Sequence, residues 1–312
     1  MQDGWKIMEQ STFSDRAYRL KFLIWGARMF GRVTGRVPER TTWPLVWGGS
    51  RRYAPDRWKQ RDRDFERRDF SYEDAVQFLQ ASLRKGPGVI RGSAKDVVQG
   101  SMPKEELDFV AKYLTGLRKE GRPLRGLHIG DFVGLSLAHL TDAARNVHAG
   151  SVVMSIDPNA PHRGMDNPKD LVTGLMARYD LLDNWLPLTG FTLERTGIAD
   201  ISNRNAGTTK FASYYGFGAA HVLANLAKVG TRFDFALIDG NHNSGYLRRE
   251  IDRLSRLIRP GGLLFLDDLD EHWSGVKEVF DGLDHRRFQR LARGGRAGVV
   301  RVLREKGPGQ TA

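Results

Sequence analysis

The feature that most constrains the fold is an alternation of short apolar segments and amphipathic segments from residue 124 onward. Short apolar strands separated by helices are typical of a parallel, doubly wound sheet. The predicted strands are Arg125–Ile129, Val152–Asp157, Phe191–Thr196, Phe233–Asp239 and Leu263–Asp267. The predicted helices cover residues 134–147, 168–183, 218–229 and 244–258. Two further segments, Arg286–Arg293 and Ala297–Arg304, flank a Gly294-Gly295 turn, so we predict an α/β fold whose seven-stranded, mostly parallel sheet ends in an antiparallel hairpin.

The pattern divides the chain into four parts. Residues 1–70 are a basic, aromatic-rich and mostly helical N-terminal extension, with one helix predicted at 15–32. Residues 71–123 are a helical lead-in, with helices predicted at 72–85 and 104–119. Residues 124–306 form the sheet domain, and residues 307–312 are a flexible tail.

The net charge of +12 is concentrated at the two ends of the chain. Residues 1–70 hold 16 basic and 9 acidic side chains, and residues 285–312 hold 8 and 1, whereas the part between them is slightly acidic. Any affinity for a polyanion must therefore come from the ends, and nucleic acid is not the expected partner of the sheet domain. The absence of cysteine excludes disulfides, thiolate catalysis and cysteine-ligated metals.

Residues 15–36 combine arginines with aromatic and aliphatic side chains. This composition suits a helix lying on an anionic membrane surface, and equally an arm packed on the domain or on a second subunit of a homo-oligomer. The apolar run Phe22–Ala27 is far shorter than the roughly 18 residues that span a bilayer, so we predict a cytoplasmic protein with peripheral membrane contact at most.

The loop after the first strand is the first candidate ligand site. Gly130 and Gly134 allow backbone to approach a ligand closely, and the helix that follows offers unpaired N–H groups. Their spacing is GxxxG rather than the GxGxxG typical of dinucleotide sites, and a strand–helix turn also takes glycine for structural reasons.

Acidic residues end three of the predicted strands. Asp157 could bind both hydroxyls of a ribose, or cap the turn that follows. Asp239, Asp267 and Asp268 end two other strands, where neighbouring carboxylates repel one another unless a cation or protons intervene. A site for a hard metal such as Mg²⁺ is one interpretation, and helix capping by Asp239 and Asp268 is the other.

Three stretches together resemble a known family: LHIGDFVGLSL, SIDPN and FDFALIDGNHNSGYLRREIDRLSRLIRPGGLLFLDDL. They are similar to class I S-adenosylmethionine-dependent methyltransferases, and more narrowly to small-molecule O-methyltransferases with DGxH and PGG-strand-DD elements. The resemblance covers residues 104–304 and implies a Rossmann-like methyltransferase fold for the domain at 124–306.

The resemblance also implies roles for individual residues. Gly130 and Gly134 would line the methionine part of S-adenosylmethionine, and Asp157 would bind its ribose. Asp131, Ser136 and Asp239 complete the candidate cofactor set. Asp239, Asp267 and Asp268 match the positions that hold a divalent metal in metal-dependent members.

The chain departs from this family at His128, where many members carry an acid that contacts the amino group of the cofactor. The loop from Gly197 to His221 is unusually long and suits either an acceptor-binding lid or a solvated loop. His242, near Asp239, is the candidate catalytic base, or a side chain that shapes the loop through hydrogen bonds to backbone. Trp273 could line the acceptor pocket or belong to the core.

The leading hypothesis is methyl transfer from S-adenosylmethionine to an oxygen of a small molecule, sugar or lipid-linked glycan. One alternative is an RNA methyltransferase that uses the basic ends, although the near-neutral domain argues against it. The other is a cofactor-binding partner protein without catalytic activity, which the substitution at His128 keeps open.

Overall fold

The computed structural model describes residues 68–85, 94–117, 121–159, 165, 167–193 and 222–303. The predictions for the helix at 15–32, the segment 15–36, the loop 197–221 and the tail 307–312 lie outside the described residues. No helix among the described residues is both long enough and apolar enough to cross a membrane.

Eight α-helices and seven strands build the described part of the chain. The helices are α1 Tyr72–Lys85, α2 Ala94–Gln99, α3 Lys104–Gly116, α4 Leu135–Val147, α5 Pro168–Arg178, α6 Val222–Lys228, α7 Ser244–Ser255 and α8 Ser274–Asp281. The strands are β1 Arg125–Ile129, β2 Val152–Asp157, β3 Trp185–Thr189, β4 Phe233–Ile238, β5 Ile258–Leu266, β6 Phe288–Gly294 and β7 Ala297–Val302.

The strands form one sheet in the order β3-β2-β1-β4-β5-β7-β6. The pairs among β1 to β5 are parallel, and β7 runs antiparallel to both β5 and β6. This confirms the predicted seven-stranded, doubly wound sheet with its C-terminal hairpin. The chain leaves β1 toward β2 on one side and reaches β4 on the other, so the carboxyl ends of β1 and β4 border the crevice where such sheets bind ligands.

Both faces of the sheet are covered, which explains why its central strands are mostly apolar. All six residues of β4 are buried. Phe235 and Leu237 face a core shared with α1, α3 and α4, whereas Ala236 and Ile238 face a second core shared with α7 and α8. The alternation follows from the two-residue period of a strand, and burial on both sides follows from the parallel topology.

The third strand is where the sequence-based prediction is wrong. It runs over Trp185–Thr189, not over the predicted 191–196. β3 is an edge strand with only one buried residue, and it contains Pro187, which an edge strand tolerates. A half-exposed edge lacks the apolar run by which the other strands are recognised. The helix predicted at 168–183 likewise ends at Arg178 and is followed by a 3₁₀ turn at Leu182–Asn184.

The amino-terminal edge of the sheet is held together by a buried acid. Asp234, at the start of β4, accepts hydrogen bonds from Arg122 Nη1 at 3.0 Å, Arg122 Nη2 at 2.7 Å and Arg259 Nη1 at 2.7 Å. It also accepts the backbone N–H of Arg125 at 2.8 Å. This cluster lies at the opposite end of the strands from the crevice, and its role is structural.

Candidate active site

The loop between β1 and α4 is shaped by two glycines with left-handed backbone. Gly130 has φ of 89° and Gly134 has φ of 86°. A Cβ on Gly130 would lie 1.9 Å from the carbonyl oxygen of Asp239, and a Cβ on Gly134 would lie 3.1 Å from Val172 Cγ1. Both glycines are therefore required by the close packing of this loop on β4 and α5, whatever ligand approaches it.

Asp157, at the end of β2, ties this loop to the next one. Its Oδ2 accepts the backbone N–H of Asp131 at 2.9 Å, and its Oδ1 accepts that of Asn159 at 2.5 Å. Burial raises the pKa of the carboxyl, and the neighbouring Asp131 raises it further. The turn-capping interpretation is thus correct for the carboxylate, which also borders a pocket.

This pocket is small and lies beyond the carboxyl ends of the strands. Its walls come from the loops after β1 and β2, the start of α5 and the edge strand β3: Asp131, Phe132, Asp157, Asn159, Pro168, Lys169, Val172 and Leu188. An acid lies at one end of this pocket, and apolar side chains form part of its wall.

Asp131 and Ser136 belong to a buried polar network that sequence reasoning missed. Ser155 Oγ donates a hydrogen bond to Asp131 Oδ2 at 2.6 Å, and Asp131 Oδ1 lies 3.2 Å from His128 Nδ1. His128 Nε2 lies 3.0 Å from Ser136 Oγ, and Trp185 Nε1 donates to Ser155 Oγ at 2.9 Å. Asp131 and Ser136, both predicted to contact the cofactor, are therefore linked through His128, and Asp131 provides a carboxylate near the position where His128 replaces the expected acid.

A second group forms where β4 and β5 end. One ligand atom from each of Asp239, His242 and Asp268 lies within 4.8 Å of the other two. His242 Nε2 is 2.6 Å from Asp268 Oδ2. The imidazole of His242 stacks on the Trp273 ring at a centroid distance of 4.0 Å and an interplanar angle of 24°. This stacking restrains the orientation of the imidazole plane.

Asp267 is not part of that group, although the sequence predicted it as a ligand beside Asp239 and Asp268. It is buried, and its Oδ2 lies 3.4 Å from Arg296 Nη2. Burial raises the pKa of Asp267 to about 7, Asp268 adds to the shift, and Arg296 opposes it. Burial also raises the pKa of Asp239, with Asp267 and Asp268 as the next contributors.

Arg296 and Glu106 are site residues that the sequence did not reveal. Arg296 lies in the turn between β6 and β7, and Glu106 lies in the first turn of α3. The antiparallel direction of the last strand is the one sequence signal that predicts a place for Arg296 in the site. The first residues of such a strand lie beside the carboxyl ends of the parallel strands, as the pairing of Gly298 with Leu266 shows.

The segment that follows β3 is attached to α7 by a buried carboxyl. Glu250 accepts a hydrogen bond from Thr192 Oγ1, which also lies 2.9 Å from the hydroxyl of Tyr246. Burial raises the pKa of Glu250 to about 7. The described residues on this side end at 193, and the predicted lid at 197–221 lies outside them.

Comparison with known proteins gives one family match, over part of the chain. Residues 127–269, which include both groups of site residues, match the sequence model of a family described as a methyltransferase domain. This part of the chain is therefore similar to a methyltransferase domain. No curated protein matches the chain.

Solved structures of methyltransferases resemble the domain at low sequence identity. An O-methyltransferase from Bacillus cereus in complex with SAH is 15% identical, covering 80% of this chain and 97% of that chain with a TM-score of 0.44. A putative caffeoyl-CoA O-methyltransferase from Staphylococcus aureus is 11% identical, with coverages of 80% and 97% and a TM-score of 0.47. The O-methyltransferase TomG from Streptomyces achromogenes, in complex with SAM, is 14% identical, with coverages of 74% and 90% and a TM-score of 0.45.

The two groups of the methyltransferase domain are neighbours. The backbone N–H of Asp239 donates to the carbonyl oxygen of Ile129 at 2.9 Å, immediately before Gly130. The Asp157 pocket lies on the β2 side of this contact, and the group of Asp239, His242 and Asp268 lies on the β5 side.

Proposed function

We propose that the protein transfers the methyl group of S-adenosylmethionine to a hydroxyl oxygen of a small-molecule, sugar or glycan acceptor. The observation that carries this proposal is the His242–Asp268 contact of 2.6 Å beside the loop that leads to the Asp157 pocket. The acceptor oxygen attacks the methyl carbon in line, the carbon–sulfur bond breaks, and S-adenosylhomocysteine leaves with the sulfur electron pair. The hydroxyl proton must go to a base.

Asp157 and the glycine loop are proposed to hold the cofactor. The Asp157 carboxylate accepts backbone N–H groups of Asp131, Asn159 and Phe132, and acceptor capacity remains on it for a ribose hydroxyl. Phe132, Val172 and Leu188 offer apolar surface in the same pocket. The buried contacts of Asp131 with His128 and Ser155 keep the loop in position and act indirectly on the cofactor.

His242 is proposed as the base. A neutral imidazole at this place, with Nε2 2.6 Å from Asp268 Oδ2, would take the acceptor proton on a ring nitrogen. The carboxylate of Asp268 then stabilises the imidazolium, and the stack on Trp273 restrains the ring.

The residues present also fit a divalent cation, which we propose as an aid to the reaction. Two ligands of one ion at about 2.0–2.6 Å lie less than roughly 5 Å apart, and Asp239, His242 and Asp268 meet this condition with 4.8 Å. Two carboxylates in the set suit Mg²⁺. When bound, Mg²⁺ would lower the pKa of the acceptor hydroxyl.

Membrane contact, subunit contact and RNA binding are the remaining partner predictions. Membrane or subunit contact through residues 15–36 falls outside the described residues. The RNA alternative gains no support from the hairpin, where Arg287 binds Asp252 at 2.9 Å and Arg290 binds the carbonyl oxygen of Asp281 at 2.9 Å. These arginines serve contacts within the domain.

The test is turnover of S-adenosylmethionine with a panel of phenolic and sugar hydroxyl acceptors. His242→Ala should lower turnover about 100-fold or more while cofactor affinity is unchanged, because a general base contributes that much. His285→Ala, at an exposed histidine in the turn before β6, is the matched control.

Chelation separates the base from the metal. A reversible loss of turnover in excess chelator supports the cation, whereas full activity in chelator leaves His242 as the sole promoter of proton removal. Normal turnover in both His242→Ala and chelator would refute this account of the site.

A further inference from the structure

Arg296 lies between acids contributed by two separate elements. Its Nη1 is 3.0 Å from Asp268 Oδ1, and its Nη2 is 3.4 Å from Asp267 Oδ2, both just after β5. Its Nε is 3.4 Å from Glu106 Oε2 on α3. One guanidinium thus faces three carboxylates, and about a quarter of its side chain is exposed.

The backbone around Arg296 fixes this placement. Its N–H donates to Glu106 Oε1 at 2.8 Å, and its carbonyl oxygen accepts the N–H of Leu269 at 2.8 Å. Gly295 before it has φ of 59°, and a Cβ there would lie 2.3 Å from Glu106 Oε1. The guanidinium is therefore held in the site by the turn between β6 and β7, unlike a surface charge that can move into solvent.

Asp268 is shared between this arginine and the candidate catalytic group. Its Oδ1 faces Arg296 and its Oδ2 faces His242. A divalent cation bound by Asp268 and Asp239 would share one carboxylate with a fixed positive charge, and the two cations would repel each other through a partly buried site. Without Arg296, the carboxylates would repel one another and attract a cation more strongly.

We propose that Arg296 is the built-in counter-ion of this acidic site and that it holds down the affinity of the site for divalent cations. The inference rests on the proposed function, because it takes Asp239, His242 and Asp268 as the cation-binding group. Arg296 would act through Asp268, because its positive charge repels a cation bound by the same carboxylate.

The experiment measures Mn²⁺ binding to the full chain by electron paramagnetic resonance of free Mn²⁺. Arg296→Gln removes the charge but retains a hydrogen-bond donor, and it should bind Mn²⁺ at least about tenfold more tightly than the wild type. Arg296→Lys retains the charge and should stay within about threefold of the wild type. Arg301→Met removes the same charge from the exposed face of β7 and should leave Mn²⁺ affinity unchanged.

Two further measurements keep the outcomes distinct. Thermal unfolding with and without Mn²⁺ reports folding, and Mn²⁺ should raise the Tm of Arg296→Gln more than that of the wild type. If Arg296→Gln does not fold, Arg296→Met provides the same charge removal. Equal Mn²⁺ affinity in wild type and the neutral variants, or no binding by either, overturns the proposal. Calorimetry with S-adenosylhomocysteine on the same samples tests the proposed function separately, since the cofactor pocket does not involve Arg296.

Discussion

Asp157→Asn is the substitution that most directly tests the candidate cofactor pocket. Asp157 accepts the backbone N–H of Asp131 at 2.9 Å and that of Asn159 at 2.5 Å, one on each oxygen. Asparagine retains one of these acceptors, replaces the other with an NH₂ donor and removes the negative charge. A ribose diol would lose one hydrogen bond and the charge assistance of the second.

The expected loss of cofactor affinity follows from the strength of those bonds. A hydrogen bond to a charged group contributes about 1.5–3 kcal/mol, so the Kd for S-adenosylmethionine should rise about 10- to 150-fold. The free energy of unfolding should change less. Burial raises the pKa of Asp157, so a neutral amide avoids the cost of a buried charge and partly offsets the lost hydrogen bond to the loop.

The assay is titration calorimetry with S-adenosylmethionine and S-adenosylhomocysteine. Asp183→Asn is the matched control, since Asp183 is exposed in the 3₁₀ turn before β3. Because the pKa of Asp157 is raised, wild-type binding should also weaken on acidification at a higher pH than an exposed aspartate would allow. Binding by Asp157→Asn within about threefold of the wild type would refute the assignment of the pocket.

Two predictions concern stability. The pKa of Glu250 is raised by burial from 4.5 to about 7, so its contribution to stability is fully present below pH 4.5 and is lost as the pH rises through about 7. Glu250→Gln still accepts the hydrogen bond from Thr192. Its free energy of unfolding should therefore exceed that of the wild type by about 3 kcal/mol at pH 8 and be similar at pH 5. Parallel pH–stability curves of the two proteins, measured by urea unfolding, would contradict this. Burial raises the pKa of Asp234, but hydrogen bonds from Arg122 and the charge of Arg259 outweigh it and lower the pKa overall, so this contribution is present at neutral pH and lost on acidification. Asp234→Asn should cost about 3 kcal/mol of unfolding free energy at pH 7 without changing cofactor affinity, and a changed affinity would mean that the two edges of the sheet are coupled.

The sequence by itself determined the elements whose signals are local. β4 is apolar at every position except Asp234 because both of its faces are covered, and this apolar run is visible in the sequence alone. The hairpin was equally visible, since the Gly294-Gly295 pair separates two strand-forming segments. Gly130, Asp157, Asp239 and the acids after β5 were found because parallel strands end at one edge, where ligands bind.

The tertiary structure decided the position of β3 and the partners of the charged groups. β3 is recognised by its pairing with β2, as in Val153 opposite Trp185, because a half-exposed edge strand carries little hydrophobic pattern of its own. The contact between Glu106 and Arg296 joins residues 190 positions apart, and that between His242 and Asp268 joins two different strand ends. Hydrophobic burial repeats with the period of each element and so appears in the sequence, whereas a charge reveals its partner only when the fold brings the two together.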